Sequence, residues 1–389
     1  MNVRLGIDRL LAEEPPWRRG ARLGLLCNHA SVGASLEHSR LLLAGRFGGE
    51  MRCLFSPQHG FFAEKQDNMV ESEHLTDPVT GLPIFSLYGE TRRPTESMFE
   101  RIDVLLVDLQ DVGTRVYTFI YTMAYCLEAA ARWGKKVVVL DRPNPIGGEA
   151  IEGNLLTDRF TSFVGLYPLP MRHGLTIGEL ALLVNGEFDI GADVAVVTMQ
   201  GWHRAQYFDE TGLHWVFPSP NMPTVQSAVV YPGQVIWEGT NVSEGRGTTL
   251  PFELVGAPYW RSGEILAAVK KTELPGCLLR PLAFEPTSGK WAGQSCFGFQ
   301  LHVTDRRQFL PYRTSLALLQ AVMHRYPEDF VYKQPPYEYE YDTLPMDLIL
   351  GDDRVRRRLE AGEPIAAIER DWQDGLAAFD ALRRGYFLY

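Results

Sequence analysis

With 389 residues, 45% of them hydrophobic and 22% charged, the chain has the composition of an ordinary globular protein and the length of two domains. A net charge of −10 excludes a protein that grips nucleic acid through a basic surface, although local arginines can still hold an anionic small substrate. Cys27, Cys53, Cys126, Cys277 and Cys296 are odd in number, scattered and without a CxxC pair, so buried reduced thiols are expected rather than disulfides or a structural zinc. The first residues contain no uninterrupted apolar run, since Glu13-Glu14-Pro15-Pro16 cuts it short. Neither a signal peptide nor a membrane span is read there, and the cytoplasm is the expected compartment.

In chain order, Ile7 to Leu11 reads as a short amphipathic helix and Arg22 to Cys27 as the first core strand, ending at Asn28-His29. A helix with Leu36, Leu41 and Leu43 follows, then a strand from Met51 to Ser56 that ends at Pro57-Gln58-His59-Gly60. After a polar excursion from Glu64 to Gly81, Leu82 to Leu87 is a short strand. The stretch from Asp103 to Gly148 is a βαβ unit. Val104 to Val107 is continuously apolar, as a strand buried on both faces of a parallel sheet must be. Phe119, Met123, Cys126, Leu127 and Ala130 recur at helical spacing, and Gly134 with two lysines closes that helix. Val137 to Leu140 is the next strand, ending at Asp141-Arg142-Pro143-Asn144.

Strand after strand thus ends in a polar cluster: Asn28-His29, Gln58-His59, Asp108 with Asp111, Arg142 with Asn144. Open α/β sheets bind ligands at that edge, so a shared site is expected there. Further on, Thr176 and Glu179 form a capping box, Asp193 to Met199 is a strand, and 218–223 is too rich in proline for regular structure. The glycines of 239–247, beside Glu238, Glu244 and Arg246, suit a site loop. From Pro251 the texture changes. Strands are expected at Leu278 to Phe284 and Cys296 to Val303, helices near Ser315 to His324 and Ile365 to Ala381, and an irregular proline–tyrosine arm at 335–341 whose rings could rim a carbohydrate site. The expected fold class is therefore α/β, divided into 1–250 and 251–389.

No GxGxxG follows a strand, and GxxxxGK[ST], HExxH and GxSxG are absent, so no nucleotide cofactor and no metal is expected. Loop carboxylates beside arginines and aromatic rings suit glycoside hydrolysis. There one carboxyl protonates the leaving oxygen and another acts as base or nucleophile, while arginine forks hold a substrate carboxylate.

The segments SPQHGFF, TGLPIFSLYGETRRPT, DVLLVDLQDVGTRVYTFIYTM, VVLDRPNPIGG, EGNLL, PMRHGLTIGELA and WEGTNVSEGRGTTLPFE occur in this order over nearly the whole chain. Together they resemble the exo-β-N-acetylmuramidases of the NamZ/YbbC type. The resemblance implies a Rossmann-like N-terminal domain, a smaller C-terminal α/β (α+β) domain, a cleft between them, and release of N-acetylmuramic acid from the non-reducing end of peptidoglycan fragments. Loop position and family motif together nominate Asp108, Asp111 and Glu238 for the acid/base set, with Glu64 as outsider. They nominate His59 and His173 to orient the sugar or a water, Arg115, Arg142 and Arg246 for the lactyl carboxylate, Asn144 and Tyr117 for the acetamido group, and Asn241 as a further substrate contact. Gln58 stands where the family often has glutamate, which raises the alternative of a catalytically impaired muropeptide-binding protein. The partner expected is a small amino-sugar substrate, with no nucleic acid and no membrane; oligomeric state is not legible.

Overall fold

The computed structural model describes residues 2–13, 15–18, 20–66, 69–269 and 274–389; Asp67 and Asn68 of the polar excursion lie outside them. Its strands are β1 Leu23–Cys27, β2 Met51–Ser56, β3 Leu75–Thr76, β4 Pro83–Ser86, β5 Val104–Asp108, β6 Lys136–Leu140, β7 Glu152–Leu155, β8 Pro170–Arg172, β9 Asp193–Val197, β10 Leu254–Ala257, β11 Cys277–Phe284 and β12 Cys296–Val303. Seven form one sheet in the order β3-β4-β2-β1-β5-β6-β9. Every pairing in it is parallel except that of β3 with β4.

The continuous apolar runs follow from this sheet having two covered faces. Along β5, Val104 and Leu106 join one apolar cluster while Leu105 and Val107 join the other. β6 divides in the same way, Val138 and Leu140 against Val137 and Val139. Successive side chains of a strand point to opposite faces, so each strand needs apolar residues at both parities. The helix Phe119–Trp133 covers one face and stops at Gly134, which takes the left-handed conformation (φ 62°) and donates its N–H to Ala130 O.

Downstream, β10-β12-β11 form an antiparallel sheet packed with the helix Pro311–Arg325. The single closing helix expected near the C-terminus is two, Ile365–Arg370 and Gln373–Arg384. The break turns Trp372 inward against Tyr312, with ring centroids 6.0 Å apart. The end of the chain returns to the parallel sheet. Arg383 donates to the carbonyls of Gly148 and Gly174 at 3.0 Å each, and the Tyr389 hydroxyl donates to Asp141 Oδ2 at 2.8 Å.

The helix Val225–Gln234 lies before residue 250 but is bound to the C-terminal part. Gln234 Nε2 donates to Ser315 Oγ at 2.8 Å, and one apolar cluster runs from Tyr231 and Trp237 to Phe299 and Leu316. At Gly233 the two helices meet so closely that a Cβ would fall 1.9 Å from Pro311 O. Backbone cannot yield as a side chain can, so Gly233→Ala should lower unfolding free energy by ~3 kcal/mol in urea titration. Because Glu238 follows that helix directly, the folded fraction should also lose turnover.

Candidate active site

A small cavity opens where the carboxyl end of β2 faces the C-terminal part. Three groups of residues build it. Gln58 and His59 follow β2; Val116, Tyr117, Thr118 and Phe119 lead into the helix after β5; Glu238, Arg246, Tyr337 and Glu338 come from the far side. Ser219 and Asn221 of the proline-rich loop complete its wall.

Two carboxyl groups dominate, and their surroundings differ. Glu238 Oε1 accepts from an Arg246 guanidinium nitrogen at 2.6 Å, and its Oε2 accepts from the Tyr337 hydroxyl at 2.7 Å. Burial by itself would lower the Arg246 pKa; Glu238 and Glu244 together reverse that and raise it. Behind this pair, Lys290 Nζ binds Glu244 at 2.8 Å, so two acids and two bases balance one another. Burial opposes ionisation of Glu244, but Lys290 and Arg246 outweigh it and hold its carboxyl below the usual range.

Glu338, by contrast, meets neutral groups. Tyr88 donates its hydroxyl to Oε2 at 2.7 Å and Gln58 its amide to Oε1 at 3.1 Å. The Gln58 carbonyl is itself fixed by the Thr118 hydroxyl at 2.5 Å. Burial pushes the Glu338 pKa up, and the nearby charge of Glu238 adds to the shift. The backbone reaches this arrangement at some cost. Glu338 and Tyr339 have φ of 46° and 69°, and His59 has φ of 74°, conformations that side-chain-bearing residues rarely adopt and that concentrate at functional sites. Burial lowers the His59 pKa to about 4, so its ring is neutral. Its Nδ1 lies 3.0 Å from Lys65 O and must donate there, leaving Nε2 as an acceptor.

Of the residues expected from sequence, His59, Tyr117, Glu238 and Arg246 come together at this cavity. Asp108, Arg142, Arg115 and Asn144 do not. Asp108 is bound at both oxygens by Arg142, at 2.6 and 2.8 Å, and also accepts from Ser39. Arg115 is fully buried and donates to four carbonyls, of Asn154, Leu169, Ile349 and Leu350, so it anchors the chain and has no fork to offer a ligand. Asn144 donates to Leu175 O, beyond β8, and accepts from Ile146 N in its own loop. Asp111 accepts from Gly113 N and lies 3.2 Å from His173 Nε2, and neither residue lines the cavity. Glu64 is exposed and accepts from Phe62 N, two residues away. Asn241 lines the neighbouring groove.

Sequence reasoning missed Glu338, and took Tyr337 only as one of the 335–341 rings that could rim a site. The signal was in plain view, carboxylates alternating with tyrosines after Pro335-Pro336, but a proline–tyrosine stretch far from the parallel sheet gives no sign that it folds back over β2.

Residues 23–226 match the family model described as exo-β-N-acetylmuramidase NamZ, N-terminal, and residues 229–389 match its C-terminal counterpart. A peptidoglycan β-N-acetylmuramidase NamZ of Bacillus subtilis strain 168 is 44% identical, the alignment covering 100% of this chain and 91% of that protein. Two crystal structures of DUF1343 family proteins from Bacteroides fragilis share the fold. Their TM-scores are 0.88 and 0.78 at 32% and 28% identity, with 100% of this chain and 99% of each of theirs covered.

The placement of Asp108 separates structure from chemistry. Asp108→Asn leaves the buried Arg142 without its counter-charge and should cost ~3–5 kcal/mol of stability in chemical denaturation. The surviving folded protein should keep its turnover, whereas loss of turnover at unchanged stability would return Asp108 to the reacting set.

Proposed function

The chain belongs to the NamZ family of exo-β-N-acetylmuramidases, and from that premise we propose that it releases N-acetylmuramic acid from the non-reducing end of peptidoglycan fragments with Glu338 and Glu238 as its working carboxyls. The observation that carries this reading is the pair itself: one enclosed cavity holds an ion-paired carboxylate and, opposite it, a desolvated carboxyl with a raised pKa. Glycosidases need those two states at once, an acid still protonated and a partner still charged.

Glu338 is assigned the protonation of the leaving oxygen, since burial, against the opposing hydrogen bonds from Tyr88 and Gln58, raises its pKa above that of an ordinary carboxyl. Glu238, fixed by Arg246 and Tyr337, is assigned the role of base, nucleophile or stabiliser of the oxocarbenium-like transition state. Gln58 then orients Glu338 through its amide instead of supplying a carboxyl. The 44% identity to the Bacillus subtilis enzyme does not favour the impaired-binding reading. Arg246 is the one of the three nominated arginines at the cavity, and with Tyr117, Ser219 and Asn221 it forms the polar wall offered to the lactyl and acetamido groups. Tyr231 and Phe252 add ring faces. No helix among the described residues is long and apolar enough to cross a membrane. The buried, unpaired Cys27, Cys53, Cys126, Cys277 and Cys296 suit a reducing compartment, which supports action on fragments in the cytoplasm.

Purified protein should release para-nitrophenol from para-nitrophenyl N-acetylmuramic acid and not from the N-acetylglucosamine analogue; release from neither sinks the reading. Glu338→Gln and Glu238→Gln should each lower kcat/KM by about 10²- to 10⁴-fold while the melting temperature holds. An acid works only while protonated, so activity should persist below the Glu338 pKa and fall as pH rises through it. Gln58→Glu places a second carboxyl beside Glu338, which disfavours ionisation further and should move that alkaline limb upward. A limb that stays put under this change would remove Glu338 from the acid role.

A further inference from the structure

Glu238 and Arg246 line two spaces. One is the proposed catalytic cavity; the other is a wider groove whose remaining walls include Asn241, Gly289, Lys290 and residues 331–334. The two therefore meet at the carboxylate assigned to the reaction. In an exo-acting enzyme the sugar to be released occupies the enclosed side of the scissile bond, and the rest of the substrate must leave on the other.

The groove wall is preformed. Asn241 N donates to Val331 O at 2.9 Å, its side chain donates to Asp329 O at 2.8 Å, and its Oδ1 accepts from Tyr259 and from Val331 N. Thr240 bridges to Tyr332 and Lys333 N donates to Gly239 O at 2.9 Å. At Gly289 a Cβ would meet no atom within 4 Å, so the groove has room there.

Its two lysines differ. Lys290 is taken up by Glu244 and by the carbonyls of Trp237 and Val242. Lys333 is exposed, its ammonium 5.3 Å from the Tyr337 ring centroid, and among the described residues it joins no ion pair. Since Glu238, Glu244, Arg246 and Lys290 balance, Lys333 leaves this groove with one positive charge in excess.

We propose that the groove is the aglycone subsite and that Lys333 binds a carboxylate carried by the glycan on the leaving-group side. This rests on the muramidase reading above. Two parts of a peptidoglycan fragment carry such a carboxylate, the lactyl ether of the next muramic acid and the acidic residues of a stem peptide.

The test compares kcat/KM on three substrates with a muramic acid at the non-reducing end: the disaccharide with N-acetylglucosamine, whose aglycone is neutral, the peptide-free tetrasaccharide, and the tetrasaccharide with stem peptides. In Lys333→Gln the ratio of a tetrasaccharide to the disaccharide should fall about five-fold, the scale of one partly exposed charge contact. In the unaltered protein added salt should lower the same ratio. A fall with the peptide-free tetrasaccharide alone assigns the lactyl carboxylate, which a stem peptide converts into an amide; a fall with the peptide-bearing one alone assigns the stem peptide, and a fall with both means that either carboxylate serves. Ratios that respond to neither Lys333→Gln nor salt overturn the proposal while leaving the muramidase reading intact. Failure of the unaltered protein to release muramic acid from any of the three overturns that reading instead.

Discussion

Asp108 and Arg142 meet at the carboxyl ends of β5 and β6, both buried, with the guanidinium bound to both carboxylate oxygens. β1 lies between β2 and β5, and the sheet runs outward from it in both directions. A doubly wound sheet ordinarily binds its ligand at such a switch point, in the crevice between diverging loops. Here side chains tie the loops around that crevice to one another. Ser31 donates to the backbone carbonyl of Asp108, Ser39 to its carboxylate, and Arg142 reaches across to Val32 O. A charge pair taken out of water this completely is stable only with its remaining lone pairs and protons satisfied, and the neighbouring loops are committed to satisfying them. The cavity that holds Glu238 and Glu338 lies along the same edge toward β2, where the parallel sheet supplies only part of a wall.

That position explains why the C-terminal part is indispensable to the site. Gln58, His59 and the loop into the helix Phe119–Trp133 provide hydrogen-bonding groups but no carboxyl. Both acids arrive from beyond the helix Val225–Gln234. What each one meets differs. Arg246 compensates Glu238, whereas Glu338 faces an amide and a phenol, so desolvation acts on it without a full counter-charge. Each also works on the other, because the charge of Glu238 makes a second charge on Glu338 more costly.

The sheet was readable because a strand with two covered faces must be apolar at both parities, and short β-branched runs of that kind fit few positions in a fold besides a buried strand. Met51–Ser56 matches its expected bounds for that reason. The polar clusters at the strand ends were equally visible, but sequence could not divide them into those that face a ligand and those that seal a crevice. Asp108 and Arg142 look the same in either role. The glycine-rich loop after Trp237 and the proline-rich loop at 218–223 both reach the cavity, since loops that regular structure cannot use tend to be held for a ligand. Glu338 was beyond this reasoning. Its position depends on a contact with Gln58 across 280 residues of chain, and no local periodicity encodes such a contact.

Residues 331–341 join the two halves of the site into one mechanical unit. Their first part is hydrogen-bonded to 239–241, immediately after Glu238, and their second part delivers Tyr337 to Glu238 and Glu338 to Gln58. The left-handed backbone at Glu338 and Tyr339 is the bend that lets one segment serve both neighbours. Strain of that kind persists only where surrounding contacts over-determine it, and here they do: Arg92 lies over the Tyr339 ring at 3.4 Å, and Tyr88 holds the Glu338 carboxyl. A group bound along 331–334 therefore touches the same segment that carries the acid. If the proposed subsite and acid assignment hold, the two are joined by a few residues of backbone, with no need for a longer path through the fold.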